Sequence, residues 1–209
     1  MIRVVIADDH PLVRGGLKTI IAESPDLQFV AEAGDGDAAL HALDEHEADV
    51  LLLDVSMPGR PFVDTLTQSK ARHPNVAVLV LSMHPEESFA IRALKSGASG
   101  YIVKDRSPEE LVDAIRLVNQ GERYVSAELA QQLASRTVSN SAPLHESLSA
   151  REFEVLQLFG SGHSAGEIAT KLNLSPKTIS TYRTRLLEKL NLKNSAELIR
   201  YAVKQQLTD

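Results

Sequence analysis

The first 123 residues alternate short apolar runs with longer amphipathic stretches, and that alternation constrains the fold more than any other feature of the chain. The apolar runs lie at 4–7, 29–33, 50–53, 76–81 and 100–103; helix-like stretches lie between them at about 11–22, 36–46, 63–72, 86–95 and 108–120. Runs this short are strand-sized, and the intervening apolar spacing is helical. The last stretch opens with Ser107-Pro108-Glu109-Glu110, an N-cap followed by proline at the first helical position and acids in the first turn. Five strand-helix units in strict order predict an α/β doubly wound fold, a parallel five-stranded sheet covered on both faces; with order 2-1-3-4-5, strands one and three flank the point where strand order reverses.

After Gly121 the pattern stops. Residues 126–135 have room for one short helix, and 136–147 (RTVSNSAPLHES) are polar and aperiodic, which reads as a linker. From Leu148 helical patterns return without strands, at about 149–159, 165–172, 176–190 and 194–206. The predicted organisation is therefore 1–123, a linker over 124–147, and a small all-α four-helix domain over 148–209. About 60 residues is near the lower limit for independent folding.

The formal net charge of −6 taken whole argues against nucleic acid. It divides unevenly: residues 1–125 hold 12 basic against 20 acidic side chains, 126–147 hold 1 against 2, and 148–209 hold 9 against 6. The acidity belongs to the first domain, and the second is positive. The absence of cysteine excludes a disulfide scaffold and a thiolate site. No run reaches the roughly 18 apolar residues of a membrane span, and the start, Met1 to Asp9, has too short an apolar stretch for a signal peptide. The expected location is the cytoplasm, with no membrane partner.

Candidate chemistry converges on one address. Asp8 and Asp9 close the first strand, Asp54 the third, Ser82 the fourth and Lys104 the fifth. In a doubly wound sheet the ligand crevice lies outside the carboxyl ends of the strands, where strand order reverses. Singly, each aspartate reads as well as a helix cap, Ser82 as a cap and Lys104 as a solvated lysine; together they bring three carboxylates, a hydroxyl and an ammonium to one crevice. Clustered carboxylates repel unless protons or a cation intervene, and oxygen donors of this kind suit Mg²⁺. An aspartate facing Mg²⁺ and a lysine can attack a phosphoryl group; Asp54, on the central strand, is the candidate nucleophile.

Asp8-Asp9, the run Asp54-Val55-Ser56-Met57-Pro58-Gly59, Ser82 and Gly100-Tyr101-Ile102-Val103-Lys104 resemble the receiver domain of bacterial two-component response regulators, a flavodoxin-like fold, over about 1–120. The resemblance implies that Asp54 accepts phosphate from a sensor histidine kinase. It also implies that Asp9, Asp54 and the backbone carbonyl of Ser56 hold Mg²⁺ with Asp8 in support, that Ser82 and Lys104 bind the phosphate, and that Tyr101 is the aromatic that turns inward with Ser82. Pro61 and Phe62 stand where the family usually has an Asn-Gly or Asp-Gly pair, which predicts a different loop there.

In the second domain, residues 167–183 read as helix, tight turn, helix, with Ser175 as N-cap and Pro176 at the first position. On a helical wheel Ile179, Leu186 and Leu190 fall within about 40° of one another as a buried stripe. Lys177, Thr181 and Thr184 point the opposite way, flanked by Ser180 and Arg185, a face suited to a major groove; on amphipathicity alone it reads equally as a solvated surface. Residues 175–193 carry five basic side chains against Glu188. This stretch, with Leu148-Ser149-Ala150-Arg151-Glu152 and Leu187-Glu188-Lys189-Leu190, resembles the helix-turn-helix of LuxR-type regulators, and the pair of domains resembles the NarL/FixJ class. That resemblance implies base contacts from Ser180, Thr181 and Thr184 and phosphate contacts from Lys177, Thr178 and Arg183, with Arg185 a further candidate. Ala165-Gly166 replaces the usual Asn-Lys, removing one phosphate contact. The implied function is a phosphorylation-switched regulator of double-stranded promoter DNA that forms a homodimer when phosphorylated and is not an enzyme beyond its own phosphorylation and slow dephosphorylation.

Two motifs point elsewhere. Gly162-His163-Ser164-Ala165-Gly166 fits the serine-hydrolase elbow, but helical sequence precedes it and no histidine follows Ser164, so the required strand and triad are missing. Aspartyl-phosphate phosphatases of the haloacid-dehalogenase type carry an acid-base aspartate two residues after the nucleophile, where this chain has Ser56.

Overall fold

A computed structural model of the chain describes residues 1–83, 87–127, 129–131, 144–172, 174–205 and 207, with the backbone alone at 87, 88, 146 and 150. Two compact units divide it, Met1–Ser135 and Arg136–Asp209.

The first unit holds β1 (Ile2–Ala7), β2 (Leu27–Ala33), β3 (Val50–Asp54), β4 (Ala77–Ser82) and β5 (Gly100–Val103). All neighbours are parallel, as the alternation predicts, and the order is β2-β1-β3-β4-β5, the one expected. Between them lie α1 (Pro11–Glu23), α2 (Gly36–Glu45), α3 (Phe62–Arg72), α4 (Glu87–Lys95) and α5 (Pro108–Asn119). Strand side chains alternate faces. Val4, Ile6, Leu52, Leu79 and Leu81 pack on one face against Leu17 and Ile21 of α1 and Ile115 of α5, while α2, α3 and α4 neighbour one another. The central strand β3 is buried along its whole length, the continuous burial that parallel strands require. Ser107 caps α5 as expected, accepting from the Glu110 N–H at 3.3 Å ahead of Pro108.

The chain after α5 returns to the sheet. The Tyr101 N–H donates to the Tyr124 carbonyl at 3.0 Å and the Tyr124 N–H to Ser99 at 3.1 Å, and the Tyr124 hydroxyl donates to Glu110 of α5 at 2.5 Å. Position 100 must therefore be glycine: a Cβ there would stand 2.8 Å from the Tyr124 carbonyl oxygen and 2.9 Å from a Leu79 methyl. Tyr124 falls within the segment read as linker, yet it pairs with β5. Ser126 then caps a helical start, its hydroxyl accepting from the Leu129 N–H at 3.2 Å, with residues 127 and 129–131 helical. The polar stretch 132–143 and the end of the expected 126–135 helix lie outside the described residues.

The second unit contains a 3-10 turn (Leu144–Ser147) and helices α6 (Ala150–Gly160), α7 (Ala165–Lys171), α8 (Pro176–Lys189) and α9 (Ser195–Lys204). Capping boxes start α6 at Ser149/Glu152 and α7 at Ser164/Glu167, each satisfying two otherwise orphaned N–H groups. Ser164, the serine of the G-x-S-x-G motif, is thus a helix cap. Val155, Leu156, Ile168, Ile179, Leu186, Leu198 and Ala202 form the buried interior. Among the described residues no helix is long and apolar enough to cross a membrane.

Candidate functional site

The crevice of the first unit is assembled by strand ends. Asp8 follows β1, Asp54 ends β3 and Lys104 follows β5; Asp8 and Asp54 are fully buried. Lys104 joins them: its Nζ donates to Asp8 Oδ2 at 2.5 Å and lies 2.8 Å from Asp54 Oδ1, with the lysine side chain only 8% exposed. A solvated surface lysine is excluded by that burial. The Lys104 backbone is fixed too, its N–H donating to the Ser82 carbonyl at 2.7 Å. Ser82, at the end of β4, is buried, and so is Tyr101 on β5. Asp9 sits at the rim, its side chain 30% exposed. Ser56 follows Asp54 by two residues on the turn leaving β3 and is exposed.

The electrostatics follow from burial. Desolvation pushes the Asp54 carboxyl above the usual carboxylate range, aided by the charges of Asp8 and Asp9, with Lys104 pulling against it. Burial disfavours the charge on Lys104, but its bonds to Asp54 and Asp8 outweigh that and hold the ammonium above its ordinary value. Asp54 Oδ2 is buried and has no hydrogen-bond partner among the described residues. A buried carboxylate oxygen left bare is costly, and it is a ready acceptor for a cation or an electrophile. One carboxylate oxygen from each of Asp8, Asp9 and Asp54, together with a ring nitrogen of His10, lies within 4.8 Å of the others. Three oxygen donors so placed fit a hard divalent cation such as Mg²⁺. His10 was not among the residues singled out from the sequence; its place directly after Asp8-Asp9 was the only signal.

The loop from β3 turns at Gly59, whose φ is +85°, a conformation that favours glycine. Pro61 then takes the N-cap of α3 with φ −55°. Phe62 opens the helix, buried, its ring 6.1 Å from that of Phe89 on α4. The predicted loop difference is therefore a packing one: Phe62 fills space between α3 and α4, and the positive φ lies at Gly59.

In the second unit Ser175 caps α8, its hydroxyl accepting from the Thr178 N–H at 3.1 Å, and Pro176 takes the first turn. Ile179 and Leu186 are fully buried and Leu190 nearly so, the stripe expected. Lys177, Ser180, Thr181, Arg183, Thr184 and Arg185 are exposed; Thr178 is half-buried, its hydroxyl 2.8 Å from that of Ser175. The Thr181 and Thr184 hydroxyls donate to the Lys177 and Ser180 carbonyls, each at 3.1 Å, so the helix backbone engages their hydrogens while each oxygen keeps capacity to accept. Arg183 reaches the Ser195 hydroxyl at 3.3 Å. Lys189, one of the five basic residues of the stretch, donates instead to the buried Glu152 at 2.7 Å.

Comparison with known proteins matches two families along the chain. Residues 4–116 match the response regulator receiver domain family and 146–202 the luxR family of bacterial regulatory proteins. The chain is 39% identical to the oxygen regulatory protein NreC of Staphylococcus epidermidis, over 99% of both chains. It is 38% identical to the response regulator GacA of Pseudomonas viridiflava, over 100% of this chain and 99% of that one. Among solved structures it resembles RcsB from Salmonella enterica serovar Typhimurium bound to the promoter rprA in the presence of the phosphomimetic BeF3-, with TM-score 0.70 and 30% identity over 96% of this chain and 97% of that one. The chain belongs to the NarL/FixJ class of two-component response regulators, a receiver domain followed by a LuxR-type helix-turn-helix.

Proposed function

We propose that the chain is a cytoplasmic transcriptional regulator switched by phosphorylation of Asp54, with residues 1–123 as receiver, 124–147 as linker and 148–209 as DNA-binding domain. The observation that carries the reading is the single ammonium of Lys104 set against two fully buried carboxylates, Asp8 and Asp54. An Asp54 oxygen attacks the phosphorus of a phosphohistidine on a sensor histidine kinase; the P–O bond forms as the P–N bond breaks, and the imidazole leaves with a proton from solvent. Asp9, Asp54 and the Ser56 backbone carbonyl would hold Mg²⁺, with Asp8 in support; bound there, the ion would supply positive charge to offset the negative charge developing on the phosphoryl group. Lys104 turns an ammonium N–H from the carboxylates to a phosphoryl oxygen, the Ser82 hydroxyl donates to another, and Tyr101 follows Ser82. With Ser56 where a phosphatase would carry its acid, nothing there hastens hydrolysis, and the chain acts as a switch rather than as an enzyme.

Beside Lys104 a cavity of about 340 Å³ is lined by Val13, Leu17, Met83, Arg106 and Leu111. With Leu12 of α1 92% exposed, that apolar surface suits the helices of a kinase delivering its histidine. Phosphorylation adds about −1.5 to −2 charge, and the phosphorylated chain forms a homodimer on double-stranded promoter DNA. Ser180, Thr181 and Thr184 meet base edges, and Lys177, Thr178, Arg183 and Arg185 meet phosphates. Intact mass after incubation with Mg²⁺ and acetyl phosphate tests the acceptor. One added phosphoryl group is expected, absent in Asp54→Asn; a gain that survives the substitution refutes Asp54.

A further inference from the structure

We infer that His10 is a nitrogen ligand of the crevice's cation site, so that this receiver favours a borderline divalent ion such as Mn²⁺ over Mg²⁺ by more than its carboxylates alone would allow. The inference rests on the reading of the crevice as a cation site given above.

His10 occupies the N-cap of α1 but makes no side-chain cap hydrogen bond, so its ring is not spent on the helix. Two features aim it. Pro11 at the first helical position restricts His10 to extended backbone, observed at φ −91° and ψ 110°, and its N–H donates to Asp8 Oδ1 at 2.8 Å. The ring Nδ1 then lies 2.8 Å from Asp9 Oδ1 and 3.4 Å from Asp8 Oδ1. The 2.8 Å approach is an ion-pair distance, but no ring N–H is aligned on Asp9 Oδ1 among the described residues, and both atoms lie in the same cluster as the Asp8 and Asp54 carboxylates, so one ion can engage them together. For metal-ligand bonds of about 2.1 Å, neighbouring ligands of an octahedral ion stand about 3 Å apart and opposite ones about 4.2 Å. The His10 separations from Asp9 and Asp8 match the first figure, and the spread of all four groups, within 4.8 Å, accommodates the second. The buried, unpartnered Asp54 Oδ2 supplies an independent sign that the crevice expects a positive group besides Lys104.

Without His10, Asp9, Asp54 and the Ser56 backbone carbonyl, with Asp8 in support, form an all-oxygen set, which Mg²⁺ accepts. A neutral imidazole adds little for Mg²⁺ and progressively more along the series from Mn²⁺ onward. His10 is also the most exposed member, its side chain 61% exposed, so its replacement does not threaten the fold.

The test is calorimetric titration of the full chain with MgCl₂ and with MnCl₂, in wild type, His10→Ala and Asp54→Asn, joined to pulsed electron paramagnetic resonance of bound Mn²⁺. His10→Ala is expected to weaken Mn²⁺ roughly tenfold and Mg²⁺ by less than about twofold, and to remove an imidazole ¹⁴N coupling that wild type displays. Asp54→Asn weakens both ions. If both ions bind in an Asp54-dependent way but the Mn²⁺ to Mg²⁺ ratio is unchanged in His10→Ala and no ¹⁴N coupling is present, the role of His10 is overturned while the cation site stands. If neither ion binds in an Asp54-dependent way, the cation site itself falls and His10 with it.

Discussion

The receiver crevice and the helix-turn-helix surface solve opposite problems. The crevice gathers residues from far apart, Lys104 meeting Asp8 across 96 positions, and buries them until charge balance becomes a structural requirement. The α8 surface takes all its candidate contacts from one helix and leaves nearly all of them in solvent, with its apolar stripe turned to the interior. Chemistry at a single phosphorus atom needs desolvated, preorganised charge; contact with an extended polyanion needs reach and exposure. The two halves should therefore respond differently to the loss of one cation.

The largest expected effect is in the crevice. Lys104→Ala leaves two buried carboxylates facing each other, and losing one partner of a buried ion pair costs about 3–5 kcal/mol. Urea denaturation of the variant should show that loss without divalent cation and partial recovery with millimolar Mg²⁺. A loss that Mg²⁺ does not reduce would separate Lys104 from the cation site.

On the exposed surface, the same removal of a cation should leave stability unchanged and appear in binding alone. Arg185→Ala should weaken binding to all DNA sequences and lower the slope of log affinity against log salt by about 1, whereas Thr184→Ala should cost about 1–3 kcal/mol on a preferred site with an unchanged slope. Fluorescence anisotropy over a salt series distinguishes them; identical behaviour of the two variants would dissolve the division into base and phosphate contacts.

The smallest effect concerns acid stability, where exposed carboxylates of the receiver behave oppositely to Asp54. Two bonds of 2.8 Å from Arg116 hold the Asp26 carboxyl at about 2 against an ordinary 3.8; His73 lowers Asp44, and Arg3 lowers Asp49. A depressed carboxyl stabilises the fold above its ordinary value, and that contribution is lost as pH falls toward 2. The urea midpoint should fall between about pH 4 and 2, and Asp26→Asn should make that fall shallower; these groups are exposed, so the change is small.

Much of the molecule was legible because its signals are periodic or terminal. Alternation marked all five strands, and the strand-end positions of Asp8, Asp54 and Lys104 marked where these three side chains meet. The apolar spacing of Ile179, Leu186 and Leu190 told which side of α8 would be free. What escaped depends on partners distant in sequence or on packing. Lys189 counted toward the basic surface until Glu152, 37 residues earlier, was found to hold it. Tyr124 carries no strand pattern of its own, since a single bridge to Gly100 has no period. Phe62 signalled only that the loop would differ, because which cleft a large side chain fills is decided by its neighbour, here Phe89.

The pairing of Tyr124 with β5 has a mechanical side. The chain leaves the receiver directly clasped to the backbone of Tyr101, so the strand that bears this aromatic and the start of the connecting segment form one stiff lever. Two main-chain hydrogen bonds tie position 124 to residues 99 and 101, so a displacement of β5 would carry it along, and the tyrosine hydroxyl on Glu110 ties the same segment to α5. The route out of the receiver begins at the edge of the sheet, where Gly100 permits the clasp by having no side chain at all.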